Sequence, residues 1–417
     1  MVSLLDKAIE AGLLVFLVRY PLGPWPFSRG TLSLIGRIAL ASAVILWIVR
    51  WRTGPRVARV RTPIDRPLLV YSLVVLVSLL YSIDQRETLR CLFGPYATGL
   101  VLFFLVLDRF RAAEGRRRLA TVLAAAFLVT VAVGLANYLN GRTNALGGIT
   151  AFGIDGVHTI GKGLSGLFPF VLILCPGTGT TRRKMFGAAA ILVALFGVFM
   201  TLSRGAWAGA FVTVVIWGLF RAPRLVTAVL VAFVVCVFAF GPPVLLDRLN
   251  LFRYQMATLS DRLTIWEGAM EDVAKRPLHG YGYGLRIYQN LYDRRHPDRR
   301  HDDPDATHEH SIYLALLVQT GLVGLAAFGW LFAAATTALV RGIRRVRAGP
   351  DRDLLLVALT GLIGEYMVHG LVDRNNMAKW AQPFWVLLAL GMGSLHGARA
   401  APPEPDRAAS NPTVPAS

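Results

Sequence analysis

Cysteine is scarce in this sequence, with 3 among 417 residues, and Cys91, Cys175 and Cys236 each lie inside an apolar stretch. No Cys-x-x-Cys pair and no Cys/His grouping at ligand spacing occurs, so a cysteine-based zinc site is excluded and the three thiols read as packing residues. A P-loop, a Gly-x-Gly-x-x-Gly turn after a strand and a Gly-x-Ser-x-Gly elbow are also missing. Nucleotide-driven and serine-hydrolase chemistry therefore have no foothold. The N-terminus lacks a small-residue cleavage site after a short apolar core, so the first apolar run is expected to be a retained span.

What is present in abundance is apolar. Hydrophobic residues make up 54% of the chain and mean hydropathy is +0.51, above the roughly 45–50% apolar content of soluble domains. The net charge of +19 would suggest a nucleic-acid partner in a soluble protein. Here the arginines cluster between apolar runs, which is a topology signal, and no nucleic acid is expected.

Runs long enough to cross about 30 Å of hydrocarbon at about 1.5 Å per residue fall near 6–20, 31–49, 67–83, 88–107, 119–138, 159–175, 185–202, 205–220, 225–241, 310–340, 353–372 and 379–396. The fold class expected is an all-α polytopic integral membrane protein of about 12 helices. The 310–340 run reads as one long tilted helix or two shorter ones, because Gly321, Gly324 and Gly329 weaken its middle.

Basic residues are retained on the cytoplasmic side of short loops. With a cytoplasmic N-terminus, the basic loops all fall on one side: Arg50 to Arg66, Arg109 to Arg118, Arg182-Arg183-Lys184, Arg221 and Arg224, and Arg341 to Arg352. The opposite short loops carry scattered charges, Arg29, Arg86, Arg142, Arg204, Arg374 and Lys379. Both termini are then cytoplasmic. The expected division is 1–241 with nine spans, 242–309 as a long outer loop, 310–396 with three spans, and 397–417 as a disordered cytoplasmic tail.

Within the outer loop, Ser260 and Asp261 read as the cap of an amphipathic helix through Val273, lying on the membrane surface. Arg262 opens that helix and reads either as a solvated residue or as part of a site. Lys275-Arg276-Pro277 ends it, and His279-Gly280-Tyr281-Gly282-Tyr283-Gly284 follows as a turn that lets backbone approach a ligand. The mixed charges from Arg294 to His310 read as a solvated loop.

Arg204, in Thr201 to Trp207, stands at the join of two apolar runs without a basic neighbour. It is an interfacial snorkelling residue or an anion-capturing one, since guanidinium pairs bidentately with phosphate oxygens. His308 and His310 stand where the loop re-enters the membrane. On a helix they would point about 200° apart, so at most one of them is expected to be catalytic. A His-x-His pair suits a metal best on an extended strand and no matching ligand set lies nearby in sequence, so no metal is expected. Arg86, Arg90 and Arg374 lie near the same face as weaker candidates or as snorkelling topology markers.

Three motifs resemble those of the O-antigen ligases and O-antigen polymerases of bacterial envelopes. They are Ser203-Arg204-Gly205; Arg262…Trp266…Arg276-Pro277-Leu278-His279-Gly280-Tyr281-Gly282; and His310-Ser311-Ile312-Tyr313-Leu314 followed by Gly321 and Gly324. Ser311 stands where the family commonly has Asn. The resemblance implies a GT-C-like membrane fold in the bacterial inner membrane with its site on the periplasmic face. It also implies transfer of an undecaprenyl-diphosphate-linked glycan to a sugar of the lipid A core, without nucleotide, metal or other cofactor. Arg204 and Arg262 would neutralise the diphosphate and His310 would act as general base. Tyr254, Trp266, Tyr281, Tyr283 and Tyr288 could line a vestibule where the two lipid-linked substrates meet.

A polymerase joining repeat units is the nearest alternative, although a second long arginine-rich outer loop would be expected of it. A protein O-oligosaccharyltransferase would use the same donor. A transporter would place its charges near the bilayer midplane and show inverted repeats, whereas the informative charges here collect at one face.

Overall fold

The computed structural model of the chain describes residues 2–22, 29–53, 60–144, 146–152, 157–221, 223–240, 251–295, 308–346, 348–374 and 381–400. Within them the chain is nearly all helix, and the one extended pairing is an isolated bridge between Thr143 and Ile149. Helices α1 (Val2–Leu22) and α2 (Arg29–Thr53) pack together. Next, α3 (Asp65–Tyr81) is followed by the short α4 (Gln85–Cys91), a π-helical turn (Leu92–Tyr96) and α5 (Ala97–Arg109). Helices α6 (Ala113–Leu139), α7 (Val157–Val171), α8 (Thr181–Phe199), α9 (Arg204–Arg221) and α10 (Pro223–Phe240) come after. Helices α11 (Leu251–Lys275) and α12 (Ile287–Arg295) precede α13 (Ile312–Arg345). Helix α14 (Pro350–Gly361) continues as a π-helical segment (Leu362–Val368) and a 3-10 turn (His369–Leu371), and α15 (Gln382–Ala400) ends the described chain.

A helix underlies each of the twelve stretches read as spans. Among the described residues, five helical stretches are both long and apolar enough to cross a membrane: Leu34–Thr53, Gln85–Arg109, Ala113–Leu139, Ile312–Arg345 and Pro350–Leu371. The architecture is that of a polytopic membrane protein, and the burial pattern agrees. On α3, Leu68, Tyr71, Val75 and Ser78 are buried, while Leu69, Leu73, Leu76 and Leu80 form an exposed stripe at helical spacing. Water disfavours such a stripe and lipid accepts it.

The 310–340 run is one element with a break. Gly321 in α13 has φ +64°, outside helical values, and a break in apolar surroundings strands backbone groups at several kcal/mol each. The segment 277–282 supplies the partners. Tyr281 and Gly282 N–H donate to the carbonyls of Val318 and Gln319 at 2.9 and 2.8 Å, and the N–H groups of Leu322 and Val323 donate to Pro277 and Leu278 at 2.8 and 3.2 Å. The Arg276-Pro277…Gly282 motif and the Gly321…Gly324 step are therefore two halves of one backbone patch.

Gly321→Ala would add a Cβ that overlaps the Leu278 carbonyl at a positive φ. The backbone strain alone costs about 1–2 kcal/mol. The expected result is a lowered unfolding temperature of the detergent-purified protein, with α13 no longer stitched to the 277–282 segment.

The same segment is tied to the α3–α4 corner. Glu87 Oε1 accepts from the N–H groups of Leu285 and Arg286 at 3.1 and 3.3 Å. The N–H of Tyr283 donates to Ser78 Oγ at 3.1 Å, and that of Ile83 to the Tyr281 carbonyl at 3.0 Å.

Two sequence expectations change here. Helix α11 runs through Ser260 and Asp261, so no cap forms there, because the helical pattern already holds from Leu251. Its apolar positions Ile265, Ala269 and Val273 pack with Tyr288, Leu291, Leu314 and Val318, so protein covers that face of the expected surface helix. The charged stretch 296–307 and the tail 401–417 lie outside the described residues, as does 241–250.

Candidate active site

The site is built where four chain segments meet. The first is the turn before α9. Leu202 takes a left-handed φ of +62° and Ser203 N–H donates to Thr201 Oγ1 at 3.3 Å, which turns the chain sharply so that Arg204 becomes the first residue of α9. Gly205 is required by close approach, since a Cβ there would lie 2.6 Å from Cδ2 of His369. Arg204 is half-buried and has no ion pair or hydrogen bond among the described residues.

The second segment is His308 to Ser311. These residues precede α13 and are not helical, so the expectation that the two imidazoles diverge on a helix is overturned. His310 has a left-handed φ of +48°, and the two rings lie against each other, tilted by 37°, with centroids 3.8 Å apart. Ser311 caps α13, its Oγ accepting from Leu314 N–H at 3.4 Å. Burial, with His310 beside it, pushes the His308 imidazole down to about 2, so it stays neutral at physiological pH. His310 is itself 7% exposed.

The third is Asp373-Arg374, just beyond the 3-10 turn. Arg374 Nη1 donates to Glu309 Oε2 at 2.8 Å and Nη2 to the Leu285 carbonyl at 3.2 Å, which fixes the His308–Ser311 turn to the loop below it. Glu309 is fully buried, and burial raises its carboxyl above the usual range despite Arg374. The fourth is Lys162 on α7, whose Nζ lies 2.7 Å from Asp373 Oδ1.

Asp373, His308 and His310 bring a carboxylate oxygen and two ring nitrogens within 4.8 Å of one another. The missing third partner of the His-x-His pair thus comes from far away in sequence. Lys162 and the backbone N–H of Arg374 already hold Asp373 Oδ1, each at 2.7 Å, while the Arg374 guanidinium is paired with Glu309.

Among the other expected residues, Arg262 lies one helical turn before Trp266, whose indole N–H donates to the Glu309 carbonyl at 3.0 Å. Helical spacing of four puts the two on one side of α11. Tyr281 is buried: its hydroxyl donates to the Asp272 carbonyl at 3.0 Å and its ring lies 4.8 Å from the Arg276 guanidinium. Arg90 is exposed and pairs with Glu87 at 2.7 and 2.9 Å. Arg86, on the same short helix, is exposed and has no contact with the His310 cluster among the described residues.

Lys162, Asp373 and, behind them, Ser165, Glu365 and His369 were not singled out from the sequence. The available signal was an ionisable residue inside or at the end of an apolar run, which is costly in a membrane and marks function by default.

Cations, imidazoles and a carboxylate are thus gathered at the helix ends of a polytopic membrane protein. Residues 189–329 match a family model described as O-antigen ligase. An O-antigen ligase of Salmonella typhimurium is 25% identical over 336 residues, covering 77% of this chain and 81% of the relative. Both findings support the O-antigen ligase family for this chain. The family segment contains Arg204, Arg262 and His310, whereas Lys162, Glu365, His369, Asp373 and Arg374 lie outside it.

Proposed function

We propose that this chain transfers an undecaprenyl-diphosphate-linked polysaccharide to a sugar of the lipid A core at the periplasmic face of the bacterial inner membrane. The observation that carries the reading is the convergence of the His308–Ser311 turn with Asp373 and Lys162, beside the turn that opens on Arg204. The relative's name supplies the reaction class.

In this reading Arg204, helped by the positive end of α9 and by Arg262, binds the diphosphate and stabilises the charge that grows on it as the glycosidic bond breaks. Fixed cations do the work that a divalent metal does in other phosphate-releasing enzymes. His310 takes the proton of the acceptor hydroxyl as that oxygen attacks the anomeric carbon. Attack opposite the diphosphate inverts that centre. His308, held neutral, packs on the His310 ring, while Asp373 is the carboxylate that stabilises positive charge there.

A gel of lipopolysaccharide from a strain lacking the gene tests the reading. The expected result is long polysaccharide retained on undecaprenyl diphosphate and none on lipid A core. Single repeat units still attached to the core would instead mark a polymerase. Unchanged lipopolysaccharide with an unglycosylated pilin or other protein would mark a protein O-oligosaccharyltransferase.

A further inference from the structure

Behind Asp373 lies a second set of buried polar groups that glycosyl transfer does not itself require. The π-helical segment and the turn after it carry Glu365 and His369, both buried, and π-helical segments are rare and concentrate at functional sites. Nδ1 of His369 lies 3.1 Å from each oxygen of Glu365, and Ser165 Oγ donates to Glu365 Oε1 at 2.9 Å. A carboxylate at Nδ1 accepts a hydrogen bond, so the proton belongs on Nδ1 and Nε2 is the basic nitrogen. Nε2 is buried with no hydrogen-bond partner among the described residues and lies 3.8 Å from Asp373 Oδ2.

Asp373 divides its two oxygens. Oδ1 accepts from Lys162 Nζ and from the Arg374 N–H, each at 2.7 Å. Oδ2 faces His369. The groups therefore stand in the order His310, Asp373, His369, Glu365, with imidazole and carboxylate alternating.

We propose that this line of side chains receives the proton that His310 takes from the acceptor, passing it through Asp373 to Nε2 of His369. The inference rests on the ligase reading. The acceptor O–H bond breaks as the new bond to the anomeric carbon forms, and the electron pair of the old glycosidic bond leaves on the diphosphate. The single proton moves from His310 to Asp373 Oδ2 and then to His369, where Glu365 balances the imidazolium. His310 is thus returned to its basic form, and His369 gives the proton up to solvent before the next turnover.

The neighbouring groups fit this direction of transfer. His308, buried against the His310 ring, is pushed down to about 2 and cannot hold the proton. Lys162, Arg374 and Arg204 are cations and accept none. Glu309 is engaged by Arg374, and Ser165 supports Glu365. His369 and Glu365 act through Asp373 and His310, so they are positioning residues.

The test is the rate of polysaccharide transfer by the full-length protein purified in detergent, with undecaprenyl-diphosphate-linked glycan and lipid A core as substrates. Wild type, His310→Ala, His369→Gln and Glu365→Gln are compared from about pH 6 to 9. His369→Gln is expected to lower kcat about tenfold or more near neutrality, with donor KM within about twofold. The deficit should narrow as pH rises, because hydroxide then discharges His310 directly. Glu365→Gln should follow the same trend, since its amide donates to Nδ1 and reverses the tautomer. It also keeps the proposal testable should His369→Gln fail to fold.

Wild-type kcat in both variants, or a deficit equal at every pH, would overturn the proton path while leaving the ligase reading intact. A wild-type protein that makes no product, or a fully active His310→Ala, would overturn the ligase reading and the path with it.

Discussion

Replacing His310 with Ala abolishes attachment of polysaccharide to lipid A core while the protein still reaches the membrane in wild-type amount. The expectation follows from where this side chain is held. Its backbone sits at φ +48°, a region that costs a residue with a Cβ about 1 kcal/mol or more and persists only when the surroundings enforce it. They do so from three sides. Ser311 caps α13 immediately after it, Glu309 before it is clamped by Arg374, and the His308 ring packs against it at a tilt. The Ser311 cap and the Glu309–Arg374 clamp do not involve the His310 imidazole, so the turn keeps two of its three supports and the loss falls on chemistry. Removing a positioned general base lowers the rate by about 100- to 10,000-fold, enough to clear core-linked polysaccharide from a gel. Membrane abundance by immunoblot separates this outcome from a folding defect.

Replacing Arg204 with Ala is the second large effect, with an expected loss of about 100- to 1,000-fold in kcat. Arg204 carries no ion pair among the described residues, unlike Arg90, Arg109, Arg116, Arg221 and Arg374, each of which pairs with a carboxylate. It begins a helix, and its turn is packed between α7 and His369. Arg204→Lys keeps the charge but loses the planar fork, so a partial loss is expected. Transfer rates of the purified variants at saturating donor give the ranking of wild type, Lys and Ala directly. Equal rates for wild type and Arg204→Ala would remove the residue from diphosphate binding.

Much of this architecture is legible in the residues alone. Apolar runs report helices because 3.6-residue geometry and lipid both demand long uninterrupted stretches, and every such run carries one here. The three motifs also fall at meeting points of the chain, for reasons of backbone chemistry: Gly321 breaks α13, and residues 277–282 satisfy the break. What local pattern cannot report is convergence. Lys162 and Asp373 are far apart in sequence, each looking like an isolated charge at an apolar run, and only the packing of α7 against the end of α14 joins them.

The spacing of Glu365, His369 and Asp373, four residues each, was readable as one helix face. His308 and His310 misled in the other direction. Helical geometry was assigned to them from the α13 pattern, but the Ser311 cap starts that helix one residue after His310. Arg374, which reads from sequence either as a weaker site candidate or as a snorkelling topology marker, is buried against Glu309.

The most direct test of the central claim uses the purified full-length protein with undecaprenyl-diphosphate-linked polysaccharide and lipid A core, a metal chelator, and no nucleotide. The account predicts polysaccharide covalently joined to lipid A core, inverted at the transferred anomeric carbon, with an equal amount of undecaprenyl diphosphate released. Longer chains that remain on the lipid carrier, or no transfer until a divalent metal is supplied, would contradict it.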